Sequence, residues 1–353
     1  MKLKDLGWEK YQASLAQEDA FGQENIARVA VENRGSYLLY AKEGELEGIM
    51  RGKFMNFQKM GSQYPKVGDW IVFEKIDGEQ KAIIKSILPR RSKISRKRAG
   101  DDLDEQIIAT NVEIVFIVQG LDGDFNLSRL ERYVVMAKDG NCQPVILLNK
   151  CDVASDAQSK LEKVQAIFSE IEIFLISAKA EIGIEKVHAF VNEGISVVFV
   201  GSSGAGKSTL INKLLGAERQ KVGQVRLDDS RGKHTTIKRE LIMLDGGGVL
   251  IDTPGMRELG MWIAAESTIE AFEDINSLIG SCRFSDCDHE FSQGCGVVEA
   301  VRVGKIDKEG YERFLKLKNE ANPLEAKEKR KAEHAKKRSL RKVIKRPEFK
   351  KKK

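Results

Sequence analysis

Residues 201–208 read Gly201-Ser202-Ser203-Gly204-Ala205-Gly206-Lys207-Ser208 and fit the pattern G-x-x-x-x-G-K-[ST]. Glycines at this spacing let backbone N–H groups converge on phosphate oxygens at a helix N-terminus, where the helix dipole favours anions. Lys207 would reach the β- and γ-phosphates of a nucleotide, and Ser208 would ligate Mg²⁺. Thr209, at the start of the following helix, completes the phosphate-side set. The bland alternative is a glycine-rich turn that holds nothing. The apolar run Ser196–Val200 before it and the helix-like Thr209–Leu215 after it favour the phosphate reading.

A phosphate loop alone does not choose the base. Asn149-Lys150-Cys151-Asp152 reads N-K-x-D and ends the apolar run Pro144–Leu148. A carboxylate there accepts from both guanine N1–H and the exocyclic amino group, a donor pair that adenine lacks, so Asp152 is the specificity residue. Asn149 would steady the loop and the purine edge, and the stem of Lys150 would cover a ring face. Ser177-Ala178-Lys179 follows the strand-like Ile171–Ile176 and offers the Ala178 N–H to guanine O6. The nucleotide expected is therefore GTP or GDP.

Asp252-Thr253-Pro254-Gly255 closes the set on the phosphate side. Asp252 would hold Mg²⁺ directly or through water, and the Gly255 N–H would face the γ-phosphate. Arg231-Gly232-Lys233-His234-Thr235-Thr236 lies between the two phosphate motifs, where a switch loop supplies a threonine to the metal; the sequence leaves Thr235 and Thr236 equivalent. A second metal-type cluster is Cys282-x₄-Cys287-x-His289-x₅-Cys295. Three thiolates and one imidazole make a closed tetrahedral set for structural Zn²⁺, with no open position for catalysis.

The elements that must position these residues alternate strand and helix from Glu113 onward. Ile114–Gln119 and Pro144–Leu148 are apolar runs of buried-strand type with the helical Leu127–Lys138 between them. A helix (156–170), the strand Ile171–Ile176, a helix (181–193) and the strand Ser196–Val200 follow. This predicts an α/β domain with a parallel sheet covered on both faces. Leu241–Leu244 and Gly248–Ile251 read as a hairpin turned at Asp245-Gly246-Gly247. Before this domain, Ala27–Val31, Ser36–Ala41, Leu46–Arg51, Asp69–Glu74 and Lys81–Leu88 give five short strands. That number suits a small barrel of the oligonucleotide-binding (OB) type. Pro89-Arg90-Arg91, with Lys93, Arg96, Lys97 and Arg98, reads as a basic linker, and beyond Ser267 the pattern is helical.

At 353 residues the chain holds two or three domains, and 41% hydrophobic with 32% charged residues fits a soluble globular protein. No apolar run suits a membrane span, and residues 1–10 lack a secretory apolar region. Five cysteines, three of them in the metal-type cluster, suit a reducing cytoplasm rather than a disulfide framework. Residues 327–353 hold 15 Lys/Arg against 3 Glu, about +12, so with +6 overall the remainder sums to about −6. Such a block favours a polyanion partner through counterion release.

The motifs run in the order N-K-x-D, S-A-K, phosphate loop, switch threonines, D-T-P-G, whereas ordinary small GTPases place the phosphate loop first. With a barrel before it and the Cys/His segment after it, the chain resembles the ribosome small-subunit-dependent GTPase A (RsgA) family. The resemblance rests on Asn149–Asp152, Gly201–Ser208, Arg231–Thr236, Asp252–Gly255 and Cys282–Cys295. It implies a circularly permuted P-loop GTPase domain (111–262) between an N-terminal OB-type barrel (1–92) and a mostly helical zinc-binding domain (263–323). A basic linker (93–110) and a basic tail (324–353) complete the expected division. It also implies GTP hydrolysis late in maturation of the 30S subunit, stimulated by that subunit; 16S rRNA as contact, no membrane and a monomer are expected alongside it. Met256 stands where Ras-like enzymes carry the glutamine that orients water, so His234 is the candidate replacement, beside Lys207, Asp252 and Gly255 in the catalytic set. The competing expectation is a nucleic-acid-binding module that keeps the nucleotide fold as a scaffold; intact Lys207, Ser208 and Asp252 oppose it.

Overall fold

The computed structural model describes residues 2–15, 25–50, 64–97, 105–216, 239–244, 247–252, 272–284, 287–290 and 292–318. His234, Thr235, Thr236, Gly255, Met256, most of the hairpin turn at 245–247 and the basic tail lie outside them. The chain divides into two compact units, residues 1–97 with 104–261, and residues 98–103 with 262–353.

In the first unit, β1 (Ile26–Glu32), β2 (Tyr37–Ala41), β3 (Gly44–Met50), β4 (Trp70–Lys75) and β5 (Lys81–Ile87) pair in the order β1-β2-β3-β5-β4. A further β4–β1 pairing closes the ring, and β3 and β5 run parallel. Period-two alternation fills this barrel: Ala27, Val29, Leu39, Ala41, Ile71, Phe73, Ala82 and Ile84 form its core. The opposite face of β1, with Ile26 and Ala30, joins the main core of the unit.

The nucleotide-type domain contributes β8 (Ile114–Gly120), β9 (Gln143–Asn149), β10 (Glu172–Leu175), β11 (Ser196–Val200), β12 (Glu240–Met243) and β13 (Val249–Asp252). Their order is β10-β9-β8-β11-β13-β12, all parallel except β12, which forms an antiparallel hairpin with β13. Every residue of β8 and of β11 is buried, as expected of strands covered on both faces. Val115 and Ile117 pack toward α2 (Leu127–Asp139), whereas Phe116 and Val118 pack toward α4 (Ile184–His188) and α5 (Lys207–Leu214). The helix expected over 181–193 is thus only five residues long, its flanks being turns. The helix expected over 156–170 is α3 (Ala157–Ile167).

Barrel and nucleotide domain form one unit. Val31 of β1 pairs with Glu240 of β12, which joins the two sheets edge to edge. Arg28, 1% exposed, donates to the carbonyls of Leu6, Gly68 and Asn111 and stacks on Trp70. Burial pushes its guanidinium down to about 10, so it remains a cation at neutral pH. Trp8 and Tyr11 of α1 (Trp8–Ala13) pack on Trp70 and bring the N-terminal segment into the same core.

The expected basic linker is largely structured. β6 (Lys93–Lys97) and β7 (Glu105–Thr110) form an antiparallel pair, with Ile94, Ile107, Ile108 and Ala109 buried. Arg90 makes a bidentate pair with buried Asp69 at 2.7–2.8 Å, and Arg91 donates to the Lys10 carbonyl. Cations that read as solvated are therefore held by acceptors from distant segments.

The second unit contains α6 (Glu273–Ile279), α7 (Gly296–Arg302) and a helical stretch over 308–318. Among the described residues its core gathers Ile275, Val297, Ala300, Ile306 and Phe314 around Cys295.

Candidate functional site

The phosphate loop leaves β11 and enters α5 with Gly206 as N-cap in a left-handed conformation (φ 99°). A Cβ at Gly206 would lie 2.1 Å from Asn149 Nδ2, and one at Gly201 would lie 2.1 Å from the Val118 carbonyl. Both glycines are thus required by close approach as well as by backbone angle. Ser202, Gly206, Lys207, Ser208 and Thr209 are half-buried, and Ser203 and Gly204 are exposed. Lys207 Nζ donates to the carbonyls of Gly201 at 2.7 Å and Ser202 at 2.5 Å, so the ammonium sits over its own loop.

Asn149 ends β9 at 2% exposure, and its amide ties two loops together. Nδ2 donates to the Ala205 carbonyl at 2.7 Å, and Oδ1 accepts from the Ala178 N–H at 2.9 Å. The Ala178 N–H was expected at guanine O6; here Asn149 holds it, so reading the base with it requires Asn149 to share that hydrogen. Ser177 bridges to Ile182 through both backbone groups, and its hydroxyl accepts from the Ala180 N–H at 3.0 Å. Lys179 and Asp152 are exposed at the same sheet edge. Lys150 adopts φ 69° and pairs with Asp122, and that ammonium holds the Asp122 carboxyl below its ordinary range.

Asp252 ends β13, the strand paired with β11, so Asp252 lies at the same carboxyl edge of the sheet from which the phosphate loop leaves β11 for Ser208 on α5. This is where ligands bind in open parallel sheets. The structure thus gathers Asn149–Asp152, Ser177–Lys179, Gly201–Thr209 and Asp252 at one edge.

Sequence reasoning missed the loop after β8. Asp122 meets Lys150, and Asp124 accepts from the Ser202 hydroxyl while pairing with Arg129 at 2.7 Å. The available signal was an Asp-x-Asp following a buried strand at the ligand-binding edge.

In the second unit, Cys282, Cys287, His289 and Cys295 bring their ligand atoms within 4.8 Å of one another and can hold a metal ion. His289 turns Nδ1 inward, 3.5 Å from Cys282 Sγ and 3.7 Å from Cys295 Sγ. Burial lowers the pKa of His289, which favours the neutral ring a metal needs. Tyr311 donates to the His289 carbonyl at 2.7 Å, and Asp288 Oδ1 accepts from Glu290 N, Ser292 N and Ser292 Oγ. These bonds fix the ligand loop, with His289 itself at φ 57°.

A family model for the RsgA GTPase matches residues 87–262. The small ribosomal subunit biogenesis GTPase RsgA 1 of Oceanobacillus iheyensis is 43% identical over 304 residues, covering 86% of this chain and 87% of that one. The chain belongs to the RsgA GTPase family. The crystal structure of YjeQ from Thermotoga maritima is 26% identical at a TM-score of 0.65, covering 84% of this chain and 98% of that one. That of YloQ, described as a circularly permuted GTPase, has a TM-score of 0.61 at 22% identity, covers 85% of this chain and 95% of that one, and bears on the fold alone. The rotated motif order fits that membership: β8 and β9 precede β11 in the chain and lie on one side of it in the sheet, β8 beside β11 and β9 beyond β8.

Proposed function

We infer that this protein is a GTP hydrolase of small ribosomal subunit biogenesis. One observation carries the reading: Asn149 joins the phosphate loop to the S-A-K loop in a single hydrogen-bonded constellation. A scaffold without nucleotide chemistry has no need to bring these loops into register.

Phosphoryl transfer is mostly positioning and electrostatic stabilisation. Lys207 would exchange its loop carbonyls for the β- and γ-phosphates, and Asp152 would select guanine. Mg²⁺ entering with the nucleotide would offset phosphate charge, held by Ser208, Asp252 and either Thr235 or Thr236. Ser208 at the start of α5 and Asp252 at the end of β13, the strand beside the one that feeds the phosphate loop, suit that role. Gly255 would face the γ-phosphate, and His234 would orient the attacking water in place of a glutamine.

The Cys/His cluster is assigned to structural Zn²⁺. Ligand bonds of about 2.3 Å to sulfur and about 2.0 Å to nitrogen give tetrahedral edges of about 3.8 and 3.5 Å. The S···S distance between Cys282 and Cys295 is 3.9 Å, and the two S···N distances are 3.5 and 3.7 Å. The partners proposed are the 30S subunit through 16S rRNA, contacted by barrel, zinc unit and basic tail, with the protein a cytoplasmic monomer. Among the described residues no helix is long and apolar enough to cross a membrane.

GTP turnover at fixed salt, with and without purified small subunits, tests the function. Stimulation by the subunits is expected, and a large loss of it in His234→Ala. Equal turnover with and without subunits would refute the coupling, and a wild-type rate in His234→Ala would refute the role of that histidine.

A further inference from the structure

The loop that follows β8 places one carboxylate on each half of the nucleotide site. Asp122 takes the Lys150 ammonium on the base side, and Asp124 accepts from the Ser202 hydroxyl on the phosphate side. Neither belongs to a nucleotide motif.

Asp124 is itself firmly placed. Arg129 pairs with its Oδ1 at 2.7 Å and also donates to its carbonyl. The amide of Gln119, 1% exposed at the end of β8, donates to the same carbonyl at 2.7 Å. Asn126 caps α2 by accepting from the Arg129 N–H at 3.0 Å, so the helix that presents Arg129 begins at this loop. On the other side, the Ser202 carbonyl is one of the two acceptors for Lys207. A continuous hydrogen-bonded path therefore runs Arg129–Asp124–Ser202–Lys207.

We propose that Asp124, neutralised by Arg129, is a positioning residue that fixes the phosphate loop through Ser202 and thereby sets affinity for the nucleotide phosphates. The inference rests on the reading of residues 201–208 as the GTP site. An unpaired carboxylate beside a phosphate loop would repel an incoming polyanion. The planar guanidinium cancels that charge at one oxygen and leaves the other to accept from Ser202. A loop already held in its binding geometry loses less freedom when the nucleotide arrives. The Arg129 and Asp124 side chains are 24% and 33% exposed, so solvent screening keeps the effect moderate. About tenfold in Kd is the size expected of one charge-assisted hydrogen bond so placed.

The test is equilibrium binding of GDP and GTP to the full chain with Mg²⁺ at fixed salt. The unaltered protein is compared with Ser202→Ala, Asp124→Ala, the double variant and Asp124→Asn. Each alanine variant should weaken both nucleotides about tenfold, and the double variant no further than the weaker single. Asp124→Asn keeps an acceptor for Ser202 and should recover part of the loss, which a merely space-filling role would not predict. Ser202→Ala leaves the Asp124–Arg129 pair intact, so the test survives misfolding of the aspartate variants. Unaltered Kd in Ser202→Ala, or losses that multiply in the double variant, would overturn the proposal. Failure of the unaltered chain to bind GTP would remove the GTPase reading itself, a result separate from these.

Discussion

Asn149 and Asp152 share a motif and divide its work. Asn149 is buried and uses both ends of its amide on the protein, whereas Asp152 is exposed where a base edge can reach it. Replacing Asp152 by Asn turns one acceptor into a donor, which suits a purine with a carbonyl at C2 in place of an amino group. Asp152→Asn should therefore lose GTP affinity by about a hundredfold and prefer xanthosine triphosphate. Competition binding with the two nucleotides checks this, and unchanged GTP preference would remove Asp152 from base recognition. These residues were legible because each motif is contiguous and its chemistry follows from spacing. Asp124 and Arg129 were not, since the Ser202 that gives Asp124 meaning lies 78 positions away. The hydrogen bond from the Ala178 N–H to Asn149 was not legible for a similar reason, because Asn149 comes from another strand end.

Among the elements, the barrel strands were legible through alternation, as in Tyr37, Leu39 and Ala41, and the buried parallel strands through unbroken apolar runs. β6 was hidden because Lys93 and its basic neighbours Arg90 and Arg91 look solvated until Glu105, Asp69 and the Lys10 carbonyl are brought to them. Arg28 is the sharper case, a cation inside a strand with the carbonyls of three segments as its partners. Arg28→Met keeps much of the volume but leaves the Leu6, Gly68 and Asn111 carbonyls without this donor. It should destabilise the unit by about 2–3 kcal/mol, and residues 2–15 should become the first site of proteolysis. Urea denaturation and limited proteolysis measure both, and a variant of unchanged stability would show that the guanidinium is incidental.

At the scale of the whole molecule the two units differ in what holds them. The first has a large core, whereas among the described residues the second gathers Ile275, Val297, Ala300, Ile306 and Phe314 around Cys295. A metal would tie that core together, and Cys282, Cys287, His289 and Cys295 provide the ligands for one. Removing metal with a strong chelator should unfold residues 272–318 while GDP binding by the first unit persists. Circular dichroism with a nucleotide titration follows the two together. Loss of GDP binding on chelation, or retained helicity in the second unit, would contradict that division. The Cys/His cluster could be read from sequence because its ligands fall within one short segment; the joining of barrel and nucleotide domain into one unit could not, since it depends on Val31 meeting Glu240.

That pairing also sets a timetable for synthesis. Val31 and Glu240 are 209 positions apart (240 − 31). At roughly 5–20 residues per second, Val31 is made roughly 10–40 seconds before its partner Glu240 exists. An unpaired strand edge over that interval invites wrong partners. Residues Ile26–Arg28 are shielded by β4, which leaves only the last few positions of β1 waiting on that side, and these end at Glu32. A short edge closed by a charge is the form in which a nascent strand resists premature pairing.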